Sequence, residues 1–351
     1  MVESIAKVFN IKDLGPLGLN PDGSPSILLG MEFRRTSDEF QIRQDKLVDT
    51  LVAKAGTELN AIPHEKVPIR DVRLQPCDED EHAKWKHKPF RSFLGIIGYL
   101  MLGSYVECAY AYKELARFNH CYGREHWETL MRLISYLKKA KVWHYLSLSK
   151  HGGLRLYAFC DSDWNGSDQC LSTTSWIVFL GNSPISWCSR MQRSTSRSTG
   201  EAEFLALSSC SQEALYLQMF VASLDIPTST FEIFGNDRSR YEEEGVAKGV
   251  PAERYATAVK IWSDSKVALA QAKKPEHWIV DKLRHVRTAY FFFKSYVRRG
   301  KLELHSIPGT ENPSDVGTKG FGAPGKTAAN QKAEYFEGHA LTCLGRPRLA
   351  R

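Results

Sequence analysis

The chain has 351 residues, 42% hydrophobic and 25% charged, with a formal net charge of +7 and eight cysteines. That balance excludes a disordered or fibrous chain and predicts two or three domains; the mild basic excess fits a polyanionic partner without requiring one. No Cys-x-x-Cys pair occurs, which argues against a zinc ribbon, and the longest apolar run, FLGIIGYLMLG, is too short to span a bilayer.

The opening MVESIAKVFN has no apolar signal core. Reduced thiols in the cytoplasm or nucleus, with no membrane partner, are therefore expected. IKDLGPLGLNPDGSP is rich in turn residues. SILLGMEFRRT then reads as one strand with EFQIRQ as its hairpin partner. DKLVDTLVAKAG reads as a helix with Leu47, Val48, Leu51 and Val52 on one face, ended by Gly56. The acidic run CDEDEHAKWKHK is expected to be a solvated loop. Two long helices follow, one over 91–118 and one over 125–140. The second carries Trp127, Leu130, Leu133, Ile134 and Leu137 on one stripe, and its basic end suits a helix C-terminus.

From Gly152 the pattern changes. LRLYAFCDSDW predicts a strand, SWIVFL and ISWCS a hairpin joined by GNSP, and residues 201–224 a long helix. VKIWSD predicts a strand leading into the helix SKVALAQA, and 281–300 an amphipathic helix stopped by Gly300. KLELHSIP is the last strand, and NPSDVGTK turns from loop into helix. This order predicts a mixed sheet covered by helices. Residues 225–258 are expected to form a surface insertion, and 323–351 a loosely ordered tail.

Four acids stand where acids are costly unless used. Asp161 and Asp264 end apolar strands, Glu203 lies on the packing side of the long helix, and Asp315 opens the segment after the last strand. Each alone also fits a plainer role: a strand-end turn residue, a helix cap, a first-turn helix acid or a partner for the helix dipole. In open α/β sheets, however, strand ends and helix starts meet at the ligand-binding edge. Four carboxylates gathered there would repel unless cations neutralise them. Hard oxygen ligands favour Mg²⁺, or Mn²⁺ in its place. Two such ions about 4 Å apart can clamp both oxygens of an in-line phosphodiester hydrolysis.

The run FCDSDWNGS, STTSWIVFLGNSPISWCSRMQ, STGEAEFLALSSCSQEALYL, IWSDSKVAL, LRHVRTAYFFFKSYV and IPGTENPSDVGTKGF resembles the ribonuclease H domain of copia-type LTR retrotransposon polyproteins. IKDLGPLG, LLGMEFRRTSDEFQIRQDKLVDTLV, PFRSFLGIIGYL and REHWETLMRLISYLKKA are similar to the end of the reverse transcriptase and the connection of the same polyproteins. The resemblance implies an RNase H-like mixed five-stranded sheet of order 3-2-1-4-5 flanked by helices. It implies a partial palm and thumb start over 1–60, a helical thumb and connection over 61–150, and the nuclease over 151–322.

The activity so implied is cleavage of the RNA strand of RNA–DNA hybrids with two Mg²⁺ ions. Asp161, Glu203, Asp264 and Asp315 carry over as catalytic metal ligands. The family's Y-x-D-D polymerase motif is absent, so a truncated element without polymerase activity is expected, with the rest of a polyprotein as a further partner. Arg190, Arg193, Ser198, Thr199, Lys282, Arg284 and His285 are candidate hybrid contacts. Arg197, Ser194 and Ser196 lie in the same stretch, and ordinary solvated residues account for these positions equally well. His285 fits packing or capping too. Asp163 reads as a supporter of the metal shell or as a turn residue before Trp164–Gly166.

Three departures from the family pattern stand out. SYVEC replaces R-P-D, Arg287 stands at an Asp position, and the IPGTENPSD loop has no histidine. The last bears on turnover rather than on reaction type. A remnant that binds nucleic acid without cutting it is the competing reading, and an integrase-class enzyme is a more distant one.

Overall fold

In the computed structural model, residues 16–18, 23–71, 73–142, 144–149, 156–166, 170–223, 258–274 and 291–320 are described. The expected insertion, apart from its last residue, and the expected tail lie outside them, as do Lys282, Arg284 and His285.

SILLGMEFRRT forms two strands rather than one: β1 (Ser26–Leu28) and β2 (Met31–Arg35). Leu29 and Gly30 between them both take positive φ, 52° and 73°. A two-residue connection with positive φ at both positions matches the right-handed twist of paired strands. β3 (Glu39–Arg43) pairs antiparallel with β2. On its other side β3 pairs with β4 (Leu146–Ser149), which closes a four-stranded antiparallel sheet. No strand is expected at β4 from sequence, because LSLS offers only four residues of alternation.

Helix α1 (Asp45–Ala55) buries Val48, Leu51 and Ala55 and ends at Gly56, whose φ is 58°. The acidic run is a helix, not a loop. α2 (Glu79–Trp85) starts at Asp78, whose side chain accepts from the Glu81 N–H at 2.7 Å. Glu79, Asp80 and Glu81 then sit in its first turn, where acids favour the positive end of the helix dipole. The single helix expected over 91–118 is broken. α3 (Phe90–Gly103) stops after Gly103, and α4 (Ala109–Ala116) begins beyond a short 3-10 turn at Val106–Cys108. α5 (Arg124–Ala140) buries Trp127, Leu130, Leu133, Ile134 and Leu137, as its stripe predicts. Each contributes roughly 1.5–3 kcal/mol by leaving water. Val48 and Leu51 of α1 share one core with these residues, so the segments on either side of residue 60 pack as a unit.

The second sheet contains β5 (Leu156–Asp163), β6 (Thr173–Leu180), β7 (Ser183–Met191), β8 (Val259–Ser263) and β9 (Leu302–Ser306). Their order is β7-β6-β5-β8-β9, which is 3-2-1-4-5 when counted within this sheet, as expected. β5–β6 and β6–β7 are antiparallel, whereas β5–β8 and β8–β9 are parallel. The protein is thus α/β with a mixed five-stranded sheet.

One face of this sheet carries α6 (Thr199–Ser223), α7 (Lys266–Lys273) and α8 (Phe293–Arg298). Leu156, Ala158, Cys160, Val178, Ile261 and Leu304 point toward them. The opposite face is covered by the N-terminal half. Tyr157, Phe159, Ile177, Phe179 and Trp262 pack against Ile42, Val67, Val106 and Leu146. β5 is therefore buried on both faces, which explains its nearly unbroken apolar run.

Candidate metal centre

Strand register builds the site. β5 and β8 run parallel with Phe159 opposite Trp262. Continued by two residues, that register brings Asp161, near the end of β5, level with Asp264, just past the end of β8. α6 crosses β5 and presents Glu203 to the same edge. Oxygens of Asp161, Glu203 and Asp264 all lie within 4.8 Å of one another. Asp161 and Glu203 are buried, at 3% and 5% exposure, and Asp264 lies nearer solvent.

The start of α6 is set locally. The Ser198 hydroxyl accepts from the Glu201 N–H at 3.3 Å, and the Glu201 carboxylate accepts from the Arg197 N–H at 2.8 Å. Glu201 thus caps the helix and faces away from the acid cluster, which leaves Glu203 as the site acid of this turn. Gln192 fastens the preceding loop. Its side-chain amide donates to Thr174 Oγ1 at 3.0 Å and to the Ala202 carbonyl at 2.9 Å, and its oxygen accepts from Ser196 at 2.8 Å.

The last segment closes the site. Asn312 donates to the Cys160 carbonyl at 2.9 Å and accepts from the Ser314 N–H, which docks the 3-10 turn Pro313–Gly317 beside Asp161. Thr318 is fully buried, and its hydroxyl donates to Asp161 Oδ2 at 2.6 Å. Asp315 is buried in this turn, and Lys319 Nζ stands 2.8 Å from its Oδ1. A Cβ at Gly317 would lie 2.2 Å from Ser175 Oγ and 2.9 Å from Ser175 Cβ, so only glycine lets the turn sit this close to β6. A Cβ at Gly309 would lie 2.9 Å from Asp264 Oδ2.

The electrostatics follow from burial. Burial, then repulsion by Asp161 and Asp264, pushes Glu203 up to about 9. Burial, with repulsion by Asp264, pushes Asp161 up to about 6 against the pull of the Thr318 hydroxyl. Burial also raises Asp264, while Lys319 pulls it down. Glu203 Oε2 is buried without a hydrogen-bond partner. Such an oxygen is expensive unless a cation meets it. Oxygens sharing one Mg²⁺ stand roughly 3–4 Å apart around a 2.1 Å shell. A small inward turn of the three carboxylates satisfies that, so the donor set fits a hard divalent ion.

Of the four expected ligands, three converge, while the fourth, Asp315, lies on the adjoining turn in an ion pair with Lys319. Asp163 sits on the same strand face as Asp161 but serves the turn: its Oδ2 reaches within 2.1 Å of where a Cβ would sit at Gly166. Arg190 and Arg193 are exposed and line one cavity of 720 Å³ with Thr174, Gln192, Ser208 and Gln212. Ser198 and Thr199 are exposed at the start of α6. Ser196 is buried against Gln192 and so is turned away from any phosphate.

Comparison with known proteins decides the family. The chain is 24% identical over 322 residues to the retrovirus-related Pol polyprotein from transposon TNT 1-94 of Nicotiana tabacum, matching 90% of this chain and 21% of that protein. It is 29% identical over 294 residues to the Pol polyprotein from transposon RE2 of Arabidopsis thaliana, matching 83% of this chain and 18% of that protein. The chain belongs to the copia-type retrovirus-related Pol polyproteins. It spans about a fifth of the length of these polyprotein relatives. A stretch of 133 residues is also 33% identical to a protein named secreted RxLR effector protein 161 from Plasmopara viticola, covering 93% of it. No family model and no solved structure matches the chain. Among the described residues of this copia-type chain, no helix is long and apolar enough to cross a membrane.

Proposed function

We propose that the second sheet and its helices form an RNase H-like nuclease that hydrolyses the RNA strand of RNA–DNA hybrids. The observation that carries this reading is the convergence of Asp161, Glu203 and Asp264 at the sheet edge, with a buried and unpartnered Glu203 oxygen. The strand order 3-2-1-4-5 and the kinship with Pol polyproteins support it.

Bound divalent ions would supply Lewis-acid polarisation of the scissile phosphate and a hydroxide near neutral pH. Asp161, Glu203 and Asp264 would hold them, with Asp315 joining from the adjoining turn. Thr318 fixes the rotamer of Asp161 by its hydrogen bond. Arg190 and Arg193 present charge to the hybrid backbone along their shared cavity, and Ser198 and Thr199 offer exposed hydroxyls at the start of α6. Lys282, Arg284 and His285 remain candidates for the same task.

The Asp315–Lys319 pair favours one second reading, a remnant that binds hybrids without cutting them. Incubation of the full chain with a labelled RNA–DNA hybrid and Mg²⁺ or Mn²⁺ separates the two. Cleavage that is lost in Asp161→Asn supports the nuclease. Retained hybrid binding with no cleavage at any metal concentration supports the remnant.

A further inference from the structure

Lys319 stands directly after Thr318, which is buried and hydrogen-bonded to Asp161, so the start of its side chain is seated beside the acids. Its side chain is 52% exposed, whereas that of its partner Asp315 is only 9% exposed. The same ammonium also pulls on Asp161, Asp163 and Asp264. One singly charged group therefore serves four acids, and it leaves Glu203 Oε2 unmatched. A half-exposed ion pair is held weakly, because water competes for both partners.

We infer that Lys319 is a tethered counter-cation that holds Asp315 until divalent ions arrive and then yields that carboxylate to them. Lys319 thereby sets how tightly the acid cluster takes metal. This rests on the metal-centre reading above. The first ion needs only the three acids already converged, whereas use of Asp315 requires its ammonium to leave. Removing the ammonium abolishes both the competition for Asp315 and the repulsion of an incoming cation.

Mn²⁺ binding to the purified full chain, followed by electron paramagnetic resonance of free Mn²⁺, tests this without reliance on cleavage. Lys319→Gln is expected to tighten binding about two- to tenfold, and Lys319→Arg to stay near wild type because the charge is kept. In an Asp315→Asn background, Lys319→Gln is expected to keep only the smaller part of its effect that comes from relieved repulsion. Unchanged or weaker binding in Lys319→Gln would overturn the inference, as would equal tightening in the Asp315→Asn background. Should wild type bind Mn²⁺ in an Asp161-dependent manner while Lys319→Gln changes nothing, the inference alone falls. Should wild type bind no Mn²⁺ at all, the metal centre falls with it.

Discussion

Two clusters of buried charge flank the exit of β5, and they are built in opposite ways. In one, Glu114 of α4 receives Lys113 and, at 2.7 Å, Arg117, while Lys113 Nζ also donates to Thr173 Oγ1 at 2.9 Å. Thr173 pairs with Asp163, so this network lies only two residues along the strand from Asp161. In the other cluster, three carboxylates face one another. Burial is similar in both, and sign separates them. The first cluster is neutralised from within and ties the N-terminal half to the second sheet. The second gathers acids around the single, half-exposed Lys319, so burial and mutual repulsion hold Glu203 protonated near neutral pH, and a cation from outside the chain would complete the balance.

The largest effect that sharpens this contrast is on cleavage. Asp161→Asn is expected to lower hybrid cleavage at least about a thousandfold. Its stability in chelator should be unchanged or raised, because repulsion falls. A urea melt beside the cleavage assay reads both, and a variant that cuts normally removes Asp161 from the centre.

The self-neutralised cluster should behave in the opposite sense. Glu114→Gln leaves Lys113 buried with its main partner gone and is expected to cost about 3–5 kcal/mol in a urea melt. A loss under 1 kcal/mol would mean that water reaches the network.

The pH dependence of the metal-free protein comes next. Glu203 titrates near 9 when folded and near 4.5 when unfolded, so between these values the folded state binds more protons. Stability therefore falls as pH rises through that window. His126 works the other way, because burial lowers it from 6.5 to about 4, but above pH 6.5 it is neutral in both states. From pH 7 to 9 in chelator, a loss of up to about 2–3 kcal/mol is expected. It should vanish in Glu203→Gln and shrink on adding Mg²⁺. A flat profile in the wild type would show that Glu203 is not buried among like charges.

The smallest effect concerns the seat of the last turn. Gly317→Ala is expected to cost about 1–3 kcal/mol by overpacking against Ser175. It should also weaken Mn²⁺ binding by shifting Thr318 and Asp315. Unaltered metal affinity would uncouple the turn from the centre.

Much of this was legible in the residues themselves. Asp161 and Asp264 sit at the polar ends of apolar runs and Glu203 falls on the packing side of its helix, so the periods of 2 and 3.6 turn all three acids inward, while strand order brings them together. The helix at Glu79–Trp85 carried its signal too, an Asp cap followed by three acids, but the density of charge read as solvent-exposed loop. The break after Gly103 was hidden because apolar residues continue past it. The roles of Asn312, Thr318 and Gln192 could not be read, since each depends on a partner on another element. Asp315 illustrates the limit: its place near the acids follows from topology, whereas its pairing with Lys319 depends on side-chain packing.

The aromatic layer between the two sheets bears on how this chain can be divided. A cut near residue 150 would strip Ile42, Val67, Val106 and Leu146 from Tyr157, Phe159, Phe179 and Trp262. The downstream piece would then show water a broad oily plane and is expected to clump rather than act as a free-standing enzyme.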